Sequence, residues 1–182
     1  FEGEQITAVM IGTTHFINAL VQAKRLAPTA ALRLGLPATK ALPPLVDWPE
    51  GLKNAINARS YLAHGGYEFD GRPISPLDPD ELRVHAADMK AHGIRSVAIS
   101  SVFSPVNHDL EVRAAEIIAE VLGSDVAISL SHEIGRIGLL ERENATIINA
   151  ALRELAAEIV DGLTVAVRAE GSLVQQASET ME

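Results

Sequence analysis

The apolar positions of this chain fall into blocks whose period changes along its length. Residues 6–11 (ITAVMI) are almost wholly apolar or β-branched and stop at Gly12, the pattern of a buried strand. From Thr14 the spacing becomes helical: Ile17, Leu20 and Val21 share a face, and basic residues gather near Arg25 before Pro28 ends the run. Residues 29–34 (TAALRL) return to strand character, so 6–34 reads as strand–helix–strand. Gly35, Pro37, Pro43, Pro44 and Pro49 then break any long element, leaving a loop and a short helix near 52–58. Residues 60–77 (SYLAHGGYEFDGRPISPL) alternate apolar and polar side chains around a Gly-Gly and an Asp-Gly dipeptide, which predicts a hairpin.

The stretch DPDEL sets Asp78 at an N-cap, Pro79 at the first helical position and Glu81 three residues after the cap. Leu82, Ala86 and Met89 line one face of the helix that follows, and Gly93 stops it. Residues 94–101 (IRSVAISS) and 125–130 (DVAISL) read as strands. The helix between them opens near Ser104 and Pro105 or at Asn107, turns Leu110, Ala114, Ile117, Ile118 and Val121 inward, and ends at Gly123. Two apolar strands joined by a helix pair in parallel through a right-handed crossover, which makes 94–130 a βαβ unit. From about residue 137 to 168 helix formers run on with one interruption, Gly162, which costs about 1 kcal/mol relative to Ala. A helix of that length spans roughly 45 Å. The expected organisation is an α/β domain over 1–134 with a mixed or parallel sheet, then a long helix over 135–170 that packs on the domain or on a partner, including a second copy of the chain. A polar tail over 171–182 is expected to fray.

Composition narrows the function classes. Basic residues number 15 against 24 acidic, a net charge of −9, and no Lys/Arg cluster reverses it locally. Nucleic acid and anionic membrane surfaces, which need a concentrated basic face, are therefore poor partners. Aromatics make up only 4%, so Ala, Leu, Ile and Val must build the core. With no cysteine the chain has neither disulfide nor thiolate chemistry, which fits a reducing, cytoplasmic setting. No apolar run reaches the roughly 20 residues of a membrane span. The chain opens on Phe1, which reads as processing or as excision from something longer.

Candidate chemistry begins at Gly12, Thr13 and Thr14. A glycine turn from a strand into a helix presents free backbone N–H groups, and hydroxyls there either cap the helix or bind an anion. Capping is the weightier of the two on the residues alone, and the spacing is not that of a Walker loop. His15 and Asn18 sit in the first turns of the same helix, flanking the same mouth. His85 and His92 share a helix face, but no carboxylate–histidine pattern completes a metal site, and no metal is assigned. Ser131, His132 and Glu133 follow directly on a strand. Neighbours on an extended chain point in opposite directions, so they do not form a relay by themselves. In LLERENATIINAAL, Arg142, Thr146 and Asn149 share one helical stripe, a buried or interfacial network in which packing and ligand roles remain equally open.

Several segments, taken in order, resemble the hydantoinase A/5-oxoprolinase family: GTTHFINAL, GGYEFDGRPISPLD, GIRSVAISSVFSPVNHDLEVRAAEII and SHEIGRIGLLERENATIINAAL. The resemblance covers residue 6 to about 155. It implies an incomplete ribonuclease-H-like half of the actin-like ATPase superfamily, ATP with magnesium in the parent protein, and a small cyclic amide substrate such as a hydantoin or 5-oxoproline. The ring would open after ATP phosphorylates its carbonyl. The resemblance also implies a partner, either the remainder of the same polypeptide or a hydantoinase B-type subunit, and carboxylating relatives of the acetone and acetophenone type. The family's Asp-x-Gly-Gly-Thr phosphate loop and its later nucleotide-binding elements have no counterpart in these residues, so this piece is expected to be inactive alone, with no tightly bound cofactor. On the matched motifs, Gly12, Thr13, Thr14, His15 and Asn18 are expected to face the cleft, with Arg142, Thr146 and Asn149 as second-tier cleft or interdomain residues. No base or nucleophile is assigned, and the alternative reading is a non-catalytic interaction module in which the long helix mediates assembly and the Gly12-Thr13-Thr14 turn is purely structural.

Overall fold

The computed structural model describes residues 14–179, with side chains described as far as Gly162. The strand expected over 6–11, together with Gly12 and Thr13, lies outside the described residues. The first described element is helix α1 (Thr14–Gln22), followed by strand β1 (Thr29–Leu36), helix α2 (Glu50–Ala55) and strand β2 (Arg59–His64). Helix α3 (Pro79–Ala91), strand β3 (Ser96–Ser101) and helix α4 (Asp109–Leu122) come next. Strand β4 (Ala127–Leu130), the one-turn helix α5 (Ser131–Ile134) and the long helix α6 (Leu139–Glu179) complete the order. The fold is α/β: one sheet in the order β2-β1-β3-β4, every pair parallel, with helices on both faces.

The alternation of β1 explains the two layers. Ala30, Leu32 and Leu34 point to one face, where they meet Val97 and Ile99 of β3, Leu82, Ala86 and Met89 of α3, and Ala114, Ile117 and Ile118 of α4. Ala31 and Ala98 point to the other face, where Ile147, Ala150 and Ala151 of α6 cover them. The small side chains on that face let α6 approach until the Ser96 hydroxyl donates to the Ala150 carbonyl at 2.7 Å. α6 runs antiparallel to the strands. Arg142 meets the carboxyl end of β3, Ala150 its start, and Glu154 and Glu158 pair with Arg95 and Arg25 beyond that start. It is 41 residues long, so residues 171–179, expected as tail, continue the helix.

Asp78 caps α3 as expected, accepting from the backbone N–H of Asp80 at 3.0 Å and of Glu81 at 3.1 Å. Glu81 is directed elsewhere. It accepts the backbone N–H of His64 at 2.8 Å and ties α3 to the end of β2. The hairpin expected over 60–77 does not form: β2 pairs in parallel with β1, and the only antiparallel pairing among the described residues is an isolated bridge between Tyr67 and Pro73. Alternation and turn dipeptides are common to a hairpin and to a strand followed by a tight loop. The pairing was decided by the apolar neighbour β1. At the two outer strands a side chain meets an outward carbonyl: His85 Nε2 hydrogen-bonds Leu62 of β2 at 3.2 Å, and Arg153 Nη1 donates to Ile128 of β4 at 2.9 Å. No helix among the described residues is long and apolar enough to cross a membrane.

Two substitutions test this layering. Ile117→Ala, at a fully buried position, is expected to cost about 2–5 kcal/mol in urea unfolding. Asp78→Ala should cost about 1 kcal/mol through the lost cap.

Candidate functional site at the carboxyl edge of the sheet

All strands being parallel, their carboxyl ends share one edge. There the polar chemistry of the chain concentrates. A parallel sheet in the order 2-1-3-4 has its topological switch point between β1 and β3, where such folds commonly bind ligands. In this chain that crevice is roofed by its own residues. Val102 donates its N–H to Leu34 and accepts that of Tyr67, and the Ser75 hydroxyl bridges the Gly65 N–H and the Leu36 carbonyl at 2.7 Å each. Gly66 makes the close approach possible. It sits at φ +85°, and a Cβ there would lie 3.0 Å from the Leu34 carbonyl oxygen. A hollow of about 320 Å³ remains beside the roof, lined by Leu36, Pro37, Lys40, Leu62 and His64. A larger one of about 580 Å³ lies at the other end of β2, around Lys53, Asn57 and Arg59.

Behind the edge lie two buried charge networks, both reached from the first turns of α6. Arg142, only 2% exposed, donates Nε to Ser131 Oγ at 2.9 Å and Nη2 to the Ser101 carbonyl at 2.6 Å. Its Nη1 turns to the Arg136, Ile137 and Gly138 carbonyls. Burial lowers the pKa of this guanidinium, while Glu111 and Glu143 raise it. An arginine stays charged in a protein regardless. The neighbouring Glu143 reaches the sheet instead, accepting from Arg33 Nε at 2.7 Å and Nη2 at 2.5 Å, and from the Ser100 hydroxyl at 2.8 Å. Arg33 Nη1 donates to the Leu42 carbonyl at 2.5 Å. No buried side-chain nitrogen or oxygen among the described residues lacks a hydrogen-bond partner.

The second carboxylate, Glu111, is fully buried in the first turn of α4. Its Oε1 accepts the Ser131 hydroxyl at 2.5 Å, and its Oε2 accepts the His132 backbone N–H at 3.1 Å and meets His132 Nδ1 at 2.7 Å. The Ser104 hydroxyl lies 3.1 Å from Ser131 Oγ, and the His132 ring stacks on His108 with centroids 4.4 Å apart. The expectation that Ser131 and His132 diverge on an extended chain is corrected here. β4 ends at Leu130, helical geometry begins at Ser131, and a single carboxylate gathers both side chains.

Of the residues expected at a site, Thr14, His15 and Asn18 are exposed on α1. Arg142 and Thr146 are buried; the Thr146 hydroxyl donates to the Arg142 carbonyl at 2.7 Å, and Asn149 Nδ2 donates to Ser129 Oγ at 3.1 Å. The structure thus brings Arg142 and Thr146 together and sends Asn149 to β4. Glu111, His108, Ser104, Arg33 and Glu143 were not singled out in the sequence. Two signals were present: a lone arginine inside the apolar run TAALRL, and a glutamate on the inward stripe of α4 beside Ala114 and Ile118. Among the described residues no group of three or more His, Asp or Glu is placed to hold a metal ion. The switch-point crevice, roofed by the chain's own residues, is not open to a magnesium nucleotide.

The fold and this edge define an open parallel-sheet α/β domain. The chain belongs to the hydantoinase/oxoprolinase N-terminal region family, which it matches over residues 2–122. No curated protein matches it. Among solved structures, the ATP-dependent caprolactamase from Pseudomonas jessenii superimposes with a TM-score of 0.69 at 22% identity, covering 86% of this chain and 24% of that one. Nucleotide-free acetone carboxylase, an enzyme of ATP-dependent acetone carboxylation, gives 0.66 at 16% identity, covering 86% and 25%. Both are likenesses of fold, and the chain spans about a quarter of each protein's length.

The Arg33–Glu143 pair is expected to behave as a buried charge pair. Glu143→Leu alone should destabilise by about 3–5 kcal/mol, and the double replacement Arg33→Met with Glu143→Leu by clearly less, since no charge is then stranded. Denaturant unfolding of the two variants checks this.

Proposed function

We propose that this chain is a module of an ATP-dependent enzyme that opens a small cyclic amide, such as a hydantoin or 5-oxoproline, as a hydrolase on C–N bonds. The observation that carries the reading is the family match over residues 2–122. The fold shared with an ATP-dependent caprolactamase supports it. Within the parent, Thr14, His15 and Asn18, exposed on α1, line with Gly12 and Thr13 a cleft closed by the remainder of the polypeptide or by a hydantoinase B-type subunit. Mg·ATP is held by segments other than those described, which is why this module does not carry out the ATP-dependent ring opening alone. Arg142 serves the cleft indirectly, by fixing α6 to the carboxyl edge of the sheet, with Thr146 and Asn149 on the same helix. The setting is cytoplasmic, in keeping with the absence of cysteine. The comparable likeness to acetone carboxylase favours one second reading, a subunit of an ATP-dependent carboxylase.

The test is ADP release by the full-length parent with Mg·ATP and a panel of hydantoin, 5-oxoproline and caprolactam. Release that depends on a cyclic amide is expected. Release that instead requires bicarbonate and a ketone selects the carboxylase reading, and no stimulation by either overturns both. Thr14→Ala in the same protein should lower turnover at least tenfold with an unchanged melting temperature. A stability loss of about 1 kcal/mol with turnover retained would mark Thr14 as a helix cap.

A further inference from the structure

The contacts around Glu111 suggest one assignment of its protons. Ser131 Oγ accepts the Nε–H of Arg142, whose guanidinium can only donate; of the two acceptors then open to its own hydrogen, Glu111 Oε1 at 2.5 Å and Ser104 Oγ at 3.1 Å, the nearer one is the charged group and takes it. Ser104, 3.1 Å away, then donates to the remaining lone pair of Ser131. The other oxygen of Glu111 already accepts the backbone N–H of His132. Donors on both oxygens and the Arg142 charge one residue behind favour the ionised form, and Glu111 is assigned as the carboxylate. With Glu111 the carboxylate, the 2.7 Å contact from His132 Nδ1 is an N–H donated to it. The neutral imidazole is held as the Nδ1–H tautomer, and the lone pair lies on Nε2.

That nitrogen has no hydrogen-bond partner among the described residues. The His132 side chain retains 17% of its accessible surface while Glu111 retains none. A buried carboxylate that orients an imidazole through one nitrogen and leaves the other as a free base is the arrangement that makes a histidine a proton acceptor. Tying α4 to the turn after β4 does not need the ring, because the Ser131 hydroxyl and the His132 backbone N–H already make that tie. The stack on His108 holds the plane of the ring from outside.

We propose that Glu111 and His132 form a general-base site at the carboxyl edge of the sheet, Glu111 as the positioning residue and His132 Nε2 as the base, acting on water that attacks a small carbonyl compound. In the step, a water O–H bond breaks and its proton goes to Nε2. The oxygen keeps the electron pair and bonds to the carbonyl carbon, and the leaving group departs with the electrons of the bond it breaks. The resulting imidazolium is balanced by the Glu111 carboxylate and returns its proton to solvent. The site stands on this geometry and needs neither ATP nor the rest of the parent.

Two measurements on the 182-residue chain test it. Long-range proton–nitrogen NMR at a pH where His132 is neutral should show the Nδ1–H tautomer in the unmodified chain. An Nε2–H tautomer overturns the proposal without any variant. The second measurement is hydrolysis of p-nitrophenyl acetate. His132→Asn keeps an N–H donor in the place of Nδ1 and removes Nε2, so it should fold with the same melting temperature and lose about 10²-fold in rate, the lower end of what general-base catalysis contributes. Glu111→Gln should fall between the two. Hydrolysis by His132→Asn equal to that of the unmodified chain would assign the cluster to structure alone. If the asparagine variant fails to fold, His132→Gln, which keeps a polar atom near Nε2 but not the base, is read by the same two outcomes.

Discussion

The constraint on which this domain depends is that neutral pairing must be found for charges inside it. Arg33 and Glu143 are both almost without solvent, and so are Arg142 and Glu111. An unpaired charge in such a place costs several kcal/mol. The sequence places an arginine and a glutamate side by side at the start of α6, and their side chains reach different partners, Glu143 toward β1 and β3 and Arg142 toward the ends of β3 and β4. The helix therefore docks at one rotation and one height on the sheet. Apolar packing of Ile147, Ala150 and Ala151 on Ala31 and Ala98 tolerates sliding far better than these hydrogen bonds do.

The same pairing orders the carboxyl edge. Arg142 closes the loop before its own helix by holding three of its carbonyls, and through Ser131 it passes its influence to Glu111 and so to His132. The edge is thus built from α6 outward, and the turn after β4 takes its shape from a helix that follows it in the chain. On the neighbouring half of the edge the loop over 65–75 fills the crevice between β1 and β3, so the polar cluster on the β4 side is where this domain presents a base.

Much of the layering was legible because burial and periodicity coincide. The stripe Leu82, Ala86 and Met89, the inward face of α4 and the apolar runs of β1 and β3 each report their own environment. The segment over 60–77 was misread because strand pairing is a non-local choice: the alternation of β2 says that one face is buried, not which neighbour buries it. Ser131 and His132 were set aside for a similar reason. The boundary between strand and helix falls between Leu130 and Ser131, and the residue that unites their side chains lies 20 positions away on another helix. The long helix was legible as helix, but not its continuation through residues 171–179, whose composition does not announce it.

The side chains laid across the two outer strands have a consequence for the protein in a crowded solution. Among the described residues the sheet ends at β2 and β4, and unpaired backbone groups on such borders are the template on which foreign strands add and fibrils grow. Here His85 meets Leu62 on one border and Arg153 occupies Ile128 on the other, so an incoming strand must first displace a hydrogen bond on either side. The border at β4 is also only four residues long, too short to register much of an intruder. Resistance to aggregation is thereby written into two side chains that belong to helices, and it depends on those helices staying docked.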